Sequence, residues 1–170
     1  MNMSDQVTVQ KAIYASNWKG IDVTSIVQNL ANQGTRDFTP SNDLFGDPNF
    51  GQPKFFGMTF VWNNQLWAVA SVERQGVSMT PDNYRPLIRQ PQLTPGPKQP
   101  KVSFAIYSCG WGGNDVSAIC QAIINVGAQK IHVSNQVMGI DPWSGQSKYL
   151  ITQVGSNFYG GREGDTIHLS

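Results

Sequence analysis

Apolar positions along this chain change period in a fixed order, and that order runs twice. Residues 9–15 and 102–108 are apolar, aromatic-containing segments centred on Ala-Ile-Tyr, which predicts a strand in each. A Trp-x-Gly turn follows, Trp18 with Gly20 and Trp111 with Gly113. The period then becomes helical. Val23, Ile26, Val27, Leu30 and Ala31 form one apolar face of a short helix, and Val116, Ile119, Cys120, Ile123 and Ile124 repeat that spacing. Asp22 and Asp115 stand just ahead of these helices, where a carboxylate accepts from free backbone N–H groups and meets the positive dipole end. Gly34 and Gly127 are the expected C-terminal stops.

A second strand is predicted over 35–41 and again over 128–134, each running into Ser-Asn. Next comes Gly46-Asp47-Pro48-x-x-Gly51-Gln52-x-Lys54, matched by Gly139-Ile140-Asp141-Pro142-x-x-Gly145-Gln146-x-Lys148. Asp-Pro followed by Gly is turn chemistry. Aromatic strands follow over 55–62 and 149–154, with hairpin turns expected at Asn63-Asn64 and Ser156-Asn157. Final strands are expected near 73–79 and 163–169. From Val9 to Gly46 against Val102 to Gly139, 15 of 38 positions are identical; from Asp47 to Phe56 against Asp141 to Leu150, 5 of 10 are. The chain therefore reads as a tandem duplication. The fold class is α+β, mainly antiparallel β. Two strand–helix–three-strand modules, 1–79 and 102–170, are related by a pseudo-two-fold axis. Runs of adjacent strands favour antiparallel pairing over a doubly wound sheet. Residues 80–101 hold six of the ten Pro and form a Pro-rich linker, expected to be ordered, draped over a lobe and stapling the modules together.

Composition narrows the function classes. Net charge is +1 and only 14% of residues are charged, which leaves no electrostatic footprint for nucleic acid or anionic lipid. Polarity is carried instead by 13 Asn and 15 Gln, a neutral surface suited to hydrogen bonding. The N-terminus has no basic region followed by an apolar run, so cytoplasmic synthesis without a signal peptide, with non-classical release left open, is the expectation. No apolar run reaches the ~20 residues of a spanning helix. Modules of about 70 residues bury limited cores and gain by packing on each other.

Enzyme chemistry finds little support. His132 and His168 are isolated, no Gly-x-Ser-x-Gly elbow or phosphate loop is present, and two His with two Cys do not make a zinc site. No catalytic residue and no cofactor is expected. Asp47 and Asp141, with Asn42 and Asn135, are weak calcium candidates: each copy offers too few carboxylates, and turn-stabilising hydrogen bonds explain them better. Lys54 and Lys148 follow each loop, either to pair with those Asp or to solvate an edge strand. Cys109 and Cys120 replace Ser16 and Val27 of the first copy and read as small buried side chains, with a disulfide as the alternative.

The modules resemble the domain of unknown function found C-terminal to the J domain in some DnaJ-like proteins. The residues that carry the resemblance are Ala-x-Tyr, Asp-Val-Thr (Asp-Val-Ser in the second copy) opening the helix, Gly-x-Asp-Pro-x-x-Gly-x-x-Lys and the Glu-containing final segment. The chain has no J domain and no His-Pro-Asp tripeptide, so the resemblance implies a fold and no co-chaperone role.

The expected function is non-enzymatic, lectin-like binding of neutral glycans or a surface receptor. Trp18 and Trp111, in Gly-rich turns, are the leading ligand-binding candidates, with Asn17 beside the first. The unshared aromatics Trp62, Trp67 and Trp143 join them, since they are freest of duties common to both copies. A toxin-class protein acting at host cell surfaces and a self-assembling structural protein are the alternatives. Nucleic acid is not an expected partner, and a homo-oligomer is left open.

Overall fold

The computed structural model describes residues 6–81, 84–89 and 99–169. Its frame is two antiparallel sheets. In the first module, β1 (Thr8–Ala15), β2 (Gly20–Asp22), β4 (Phe55–Trp62) and β5 (Gln65–Val72) form a sheet in the order β2-β1-β4-β5. In the second, β8 (Val102–Cys109), β9 (Gly112–Asp115), β11 (Tyr149–Val154) and β12 (Asn157–Arg162) take the order β12-β11-β8-β9. A fifth strand, β7 (Ile88–Arg89), adds to β9 in parallel. Helices α1 (Thr24–Asn32) and α3 (Ser117–Asn125) cover the two sheets. Short ladders pair β3 (Asp37–Phe38) with β6 (Val77–Ser78), and β10 (Lys130–His132) with β13 (Thr166–His168).

Alternation along the strands sorts the core into layers. Ala12 and Tyr14 of β1, Phe56, Met58 and Phe60 of β4, and Trp67 and Val69 of β5 face α1 together with Val23, Val27 and Ala31. The intervening residues Ile13, Ala15, Phe55, Ala68 and Ala70 face the other way and meet Ile106, Tyr149 and Ile151 of the second module. The second module builds its own helix-side core from Tyr107, Val116, Cys120, Ile124, Leu150 and Tyr159. The result is four layers, helix–sheet–sheet–helix. Both faces of each central strand are covered, which is why 55–60 is buried without interruption rather than in alternation. Gly57 lets the sheets approach: a Cβ there would stand 2.8 Å from Ile151 Cβ and closer still to its Cγ1.

Positions identical in the two copies are spent on this frame. Asp22 and Asp115 accept from the first helical N–H, Thr24 N at 2.8 Å and Ser117 N at 2.9 Å. Gln28 and Gln121 reach from the helices to Val9 N and Val102 N, each at 2.7 Å. Tyr14 and Tyr107 donate their hydroxyls to Asn42 and Asn135, at 2.8 and 2.7 Å. Buried Lys54 sits 3.2 Å from Asp47 and 3.8 Å from Glu73; buried Lys148 sits 2.9 Å from Asp141 and 3.4 Å from Glu163.

Several elements differ from the sequence expectation. The strands expected over 35–41 and 128–134 are short. Each gives way to a one-turn helix, α2 (Asn42–Phe45) or α4 (Asn135–Met138), capped by Ser41 or Ser134, whose hydroxyl accepts from Leu44 N or Val137 N. The final strands expected near 73–79 and 163–169 shrink to the two- and three-residue β6 and β13, because Glu73 and Glu163 stand in turns after the longer hairpin arms β5 and β12. Asn63 and Asn64 form the first hairpin turn with positive φ (54° and 63°); the second turn is Gly155-Ser156, one residue earlier than expected, since Gly155 takes φ 60°. Strands β2 and β9 replace what read as turns. No helix among the described residues is long and apolar enough to cross a membrane.

Candidate functional site

The strand β2–β1 edge of the first module meets β12 of the second at one end of the seam between the sheets; by the pseudo-two-fold, β9 meets β5 at the other. The counterparts can be followed by shared bonds: Glu73 N to Lys54 O matches Glu163 N to Lys148 O, and Met79 N to Arg36 O matches Leu169 N to Gln129 O. Ser71, Gln75 and Ser78 thus stand for Gly161, Asp165 and His168.

At the first end the protein fills the space itself. Asn17 Nδ2 donates to Gly160 O at 2.9 Å and reaches Asp165 Oδ2 at 3.3 Å. The Asn17 carbonyl accepts from His168 N at 2.9 Å, and Ser16 O accepts from Gly160 N at 2.9 Å. The His168 imidazole lies flat on the Trp18 indole, centroids 3.6 Å apart and planes 4° from parallel.

At the second end Asn17 is replaced by Gly110 and His168 by Ser78, and a cleft of about 710 Å³ opens. Trp111 lies on its wall, 45% exposed, with Tyr84 edge-on at 5.8 Å. Tyr149 OH donates to Gln75 Oε1 at 3.4 Å, and Arg162 bonds Ser147 Oγ at 3.1 Å. Ser71 belongs to the cleft lining; its side chain is 1% exposed and its Oγ has no hydrogen-bond partner among the described residues. Cys109 also lines it; Trp111 N donates to its sulfur at 3.3 Å, and burial pushes its thiol pKa up, so it is not a thiolate at neutral pH. Burial likewise raises Tyr84 and Tyr149, which leaves the cleft lined by neutral donors and acceptors with Asp37 and Arg162 as its charged members.

Residues 84–88 run along this end. Arg85 N donates to Trp111 O at 3.1 Å, Leu87 N to Leu66 O at 2.9 Å, and Tyr84 OH to Ser78 O at 2.9 Å, so this part of the linker bonds both modules. Gly112 is the counterpart of Lys19 and adopts φ 146°; a Cβ there would lie 2.9 Å from Arg85 O. The linker expected over 80–101 extends into residues 82–83 and 90–98, which lie outside the described residues.

The candidate residues scatter accordingly. Trp18 is 49% exposed but has one face covered by His168. Asn17 is taken up by module-to-module bonds, which corrects its reading as a ligand contact. Trp67 is corrected too: it is 7% exposed in the first helix-side core, its Nε1–H donated to Trp62 O at 3.1 Å, and Trp62 packs half-buried against the same core. Strand alternation puts Trp67 there with Val69. Trp143 is half-buried under the Arg85 guanidinium, 4.2 Å from the ring centroid. Asp47 and Asp141 serve their lysines, and no cluster of three or more His, Cys, Asp or Glu suited to a metal occurs among the described residues. Cys109 and Cys120 are both free and buried rather than bridged. Only Trp111 of the six ligand candidates lines the cleft. Ser71, Gln75, Tyr84 and Tyr149 were not singled out from sequence; the exchange of Asn17 for Gly110 was visible, but a hairpin with eight-residue arms in one copy and six in the other hid the pairing of Ser71 with Gly161.

A scan against protein-family models and searches of curated proteins and of solved structures return no match.

Proposed function

We propose that the chain is a non-enzymatic binding protein of lectin type, taking a neutral glycan in the cleft beside Trp111. The observation that carries this reading is the half-exposed indole on the wall of a cleft whose lining includes the hydroxyls of Ser78, Ser147 and Tyr84 and the amides of Gln75 and Gln146. An indole face covers the apolar C–H face of a sugar ring, while neutral donors and acceptors take its hydroxyls. The volume lies within the range of small-ligand pockets. The low charge content of the chain, 14% of residues with a net charge of +1, agrees with a neutral ligand. A toxin-class or lattice-forming role gains no specific observation of its own. Screening the protein on a glycan array, with Trp111→Ala as the paired sample, tests the proposal. Glycan binding that falls at least tenfold in the variant supports it; an array with no binding, together with no ligand-induced change in tryptophan fluorescence, ends it.

A further inference from the structure

The filled end of the seam is a template for what the open end accepts. It holds two occupants supplied by the chain: a carboxamide, from Asn17, and a flat ring on the indole, from His168. The amide N–H is taken by an acceptor on the last hairpin strand, Gly160 O at 2.9 Å, and by the side chain at position 165, at 3.3 Å. The ring stacks at 3.6 Å on Trp18.

The open end keeps the receptor and lacks both occupants. Trp111 replaces Trp18 with no ring on it from position 78, and Gly110 removes the carboxamide. The acceptor side is enriched rather than lost. A Cβ built on Gly161 would lie 3.2 Å from Asn17 Nδ2 and from Val133 Cγ2, and 3.3 Å from Ile167 Cγ1. Ser71 has that Cβ at the counterpart position, beside the place of the missing amide. Its Oγ is buried and has no hydrogen-bond partner among the described residues. A buried hydroxyl without a partner carries a desolvation penalty that a ligand group relieves. Gln75 Oε1 stands where Asp165 does, holding only long contacts of 3.4 Å to Tyr149 OH and 3.5 Å to Val72 N.

Resting on the glycan reading above, we infer that the open cleft selects an N-acetylated hexosamine: its acetamido group bonds Ser71 Oγ and the Gln75 amide in place of the Asn17 carboxamide, and its pyranose face lies on Trp111 in place of the His168 ring. One site per chain follows, because the pseudo-equivalent place is occupied by the protein's own side chains.

Isothermal titration with N,N′-diacetylchitobiose and with cellobiose, which carries hydroxyls where the first carries acetamido groups, tests this. The acetylated disaccharide binds at one per chain and at least tenfold more tightly than cellobiose, and Ser71→Ala removes most of that preference. Gly110→Asn rebuilds the plug; a Cβ at Gly110 meets nothing within 4 Å, so the variant is expected to fold and to lose binding. Equal affinity for both sugars, with Trp111→Ala still abolishing binding, ends the acetamido assignment and leaves the lectin reading standing. Diacetylchitobiose bound undiminished by Gly110→Asn overturns the site. No binding of either sugar overturns the assignment, and the glycan array decides separately whether the lectin reading falls with it.

Discussion

The two ends of the seam between the modules are built on the same backbone and finish in opposite ways. One end is closed by Asn17, Asp165, His168 and Trp18. The other replaces Asn17 and His168 with Gly110 and Ser78 and leaves a cleft beside Trp111. The repeat gives two equivalent places at the seam, and in one of them the chain's own side chains lock the modules together. The lesson is about where shared and unshared residues sit. Shared residues cap helices, tie strands and neutralise buried lysines. Unshared ones decide which end of the seam is solid.

The sharpest break in the comparison is at the pseudo-two-fold axis itself. Gly57 and Ile151 hold the same place in the two modules and pack on each other, one as hole and one as knob. Gly57→Ile puts two knobs together. It should cost about 3 kcal/mol through overpacking, and the swap Gly57→Ile with Ile151→Gly should recover most of that. Urea unfolding midpoints of the two variants and the parent check this; a swap no more stable than the single variant would contradict a two-fold-related contact.

The lysines separate a shared device from a local one. Lys148 is buried, and burial lowers its pKa, but the hydrogen bond to Asp141 and the charges of Glu163 and Asp141 more than reverse this, so its pKa lies above the usual lysine value. A folded-state value above the unfolded one gives stability that is fully present below the ordinary lysine pKa and is lost as pH rises through the folded value. Buried Tyr14 and Tyr107, also raised, add alkaline loss in the same direction. Lys148→Met should cost about 2 kcal/mol at neutral pH, since its carboxylate partners are left a third exposed rather than fully buried. The variant should also show a shallower decline in stability above the usual lysine pKa. Denaturant midpoints measured from neutral into the alkaline range read both effects.

The closed end can be opened directly. Asn17→Gly removes the side-chain bonds to Gly160 and Asp165 and should cost about 1–2 kcal/mol; His168→Ser removes the stacked ring and should cost about 1 kcal/mol. Acrylamide quenching should rise for Trp18 in both, read in a Trp111→Phe background. Unchanged quenching would mean that His168 does not cover the indole.

How much of this was legible in the chain follows from which forces write to sequence. The helix faces, the Asp caps and the Asp-Pro turns are local and periodic, and they stood in the sequence. Ser41 and Ser134 capping one-turn helices were hidden because four residues carry no period. The layering was partly hidden: a strand covered on both faces, such as 55–60, loses its alternation, which is why Trp67 read as an unshared surface aromatic and sits in the core. The site was the least legible. It lies between modules, and its floor, Ser71 and Gln75, belongs to a hairpin whose arms differ in length between the copies.

The two cysteines give the cleanest control on this logic, and Cys109 the smallest effect, because each replaces a residue whose duty is visible in the other copy. Ser16 accepts from Trp18 N at 3.1 Å and Lys19 N at 3.2 Å and donates to Lys19 O at 3.1 Å. Cys109 keeps two of those bonds, from Trp111 N at 3.3 Å and to Gly112 O at 3.6 Å. Cys109→Ser should therefore change stability by less than about 0.5 kcal/mol, since the hydroxyl re-enters an existing set of partners. Cys120 replaces Val27 on the buried helix face, and burial pushes its thiol up to about 12. Cys120→Ser strands a hydroxyl in an apolar layer and should cost about 1–3 kcal/mol, whereas Cys120→Val, the first copy's solution, should cost less. Thiol titration belongs with these measurements: two thiols should react on unfolding and almost none in the native protein. Equal loss from both serine variants would mean that the first copy does not report the duty of the second, and the counterpart argument for Ser71, Gly110 and Ser78 would weaken with it.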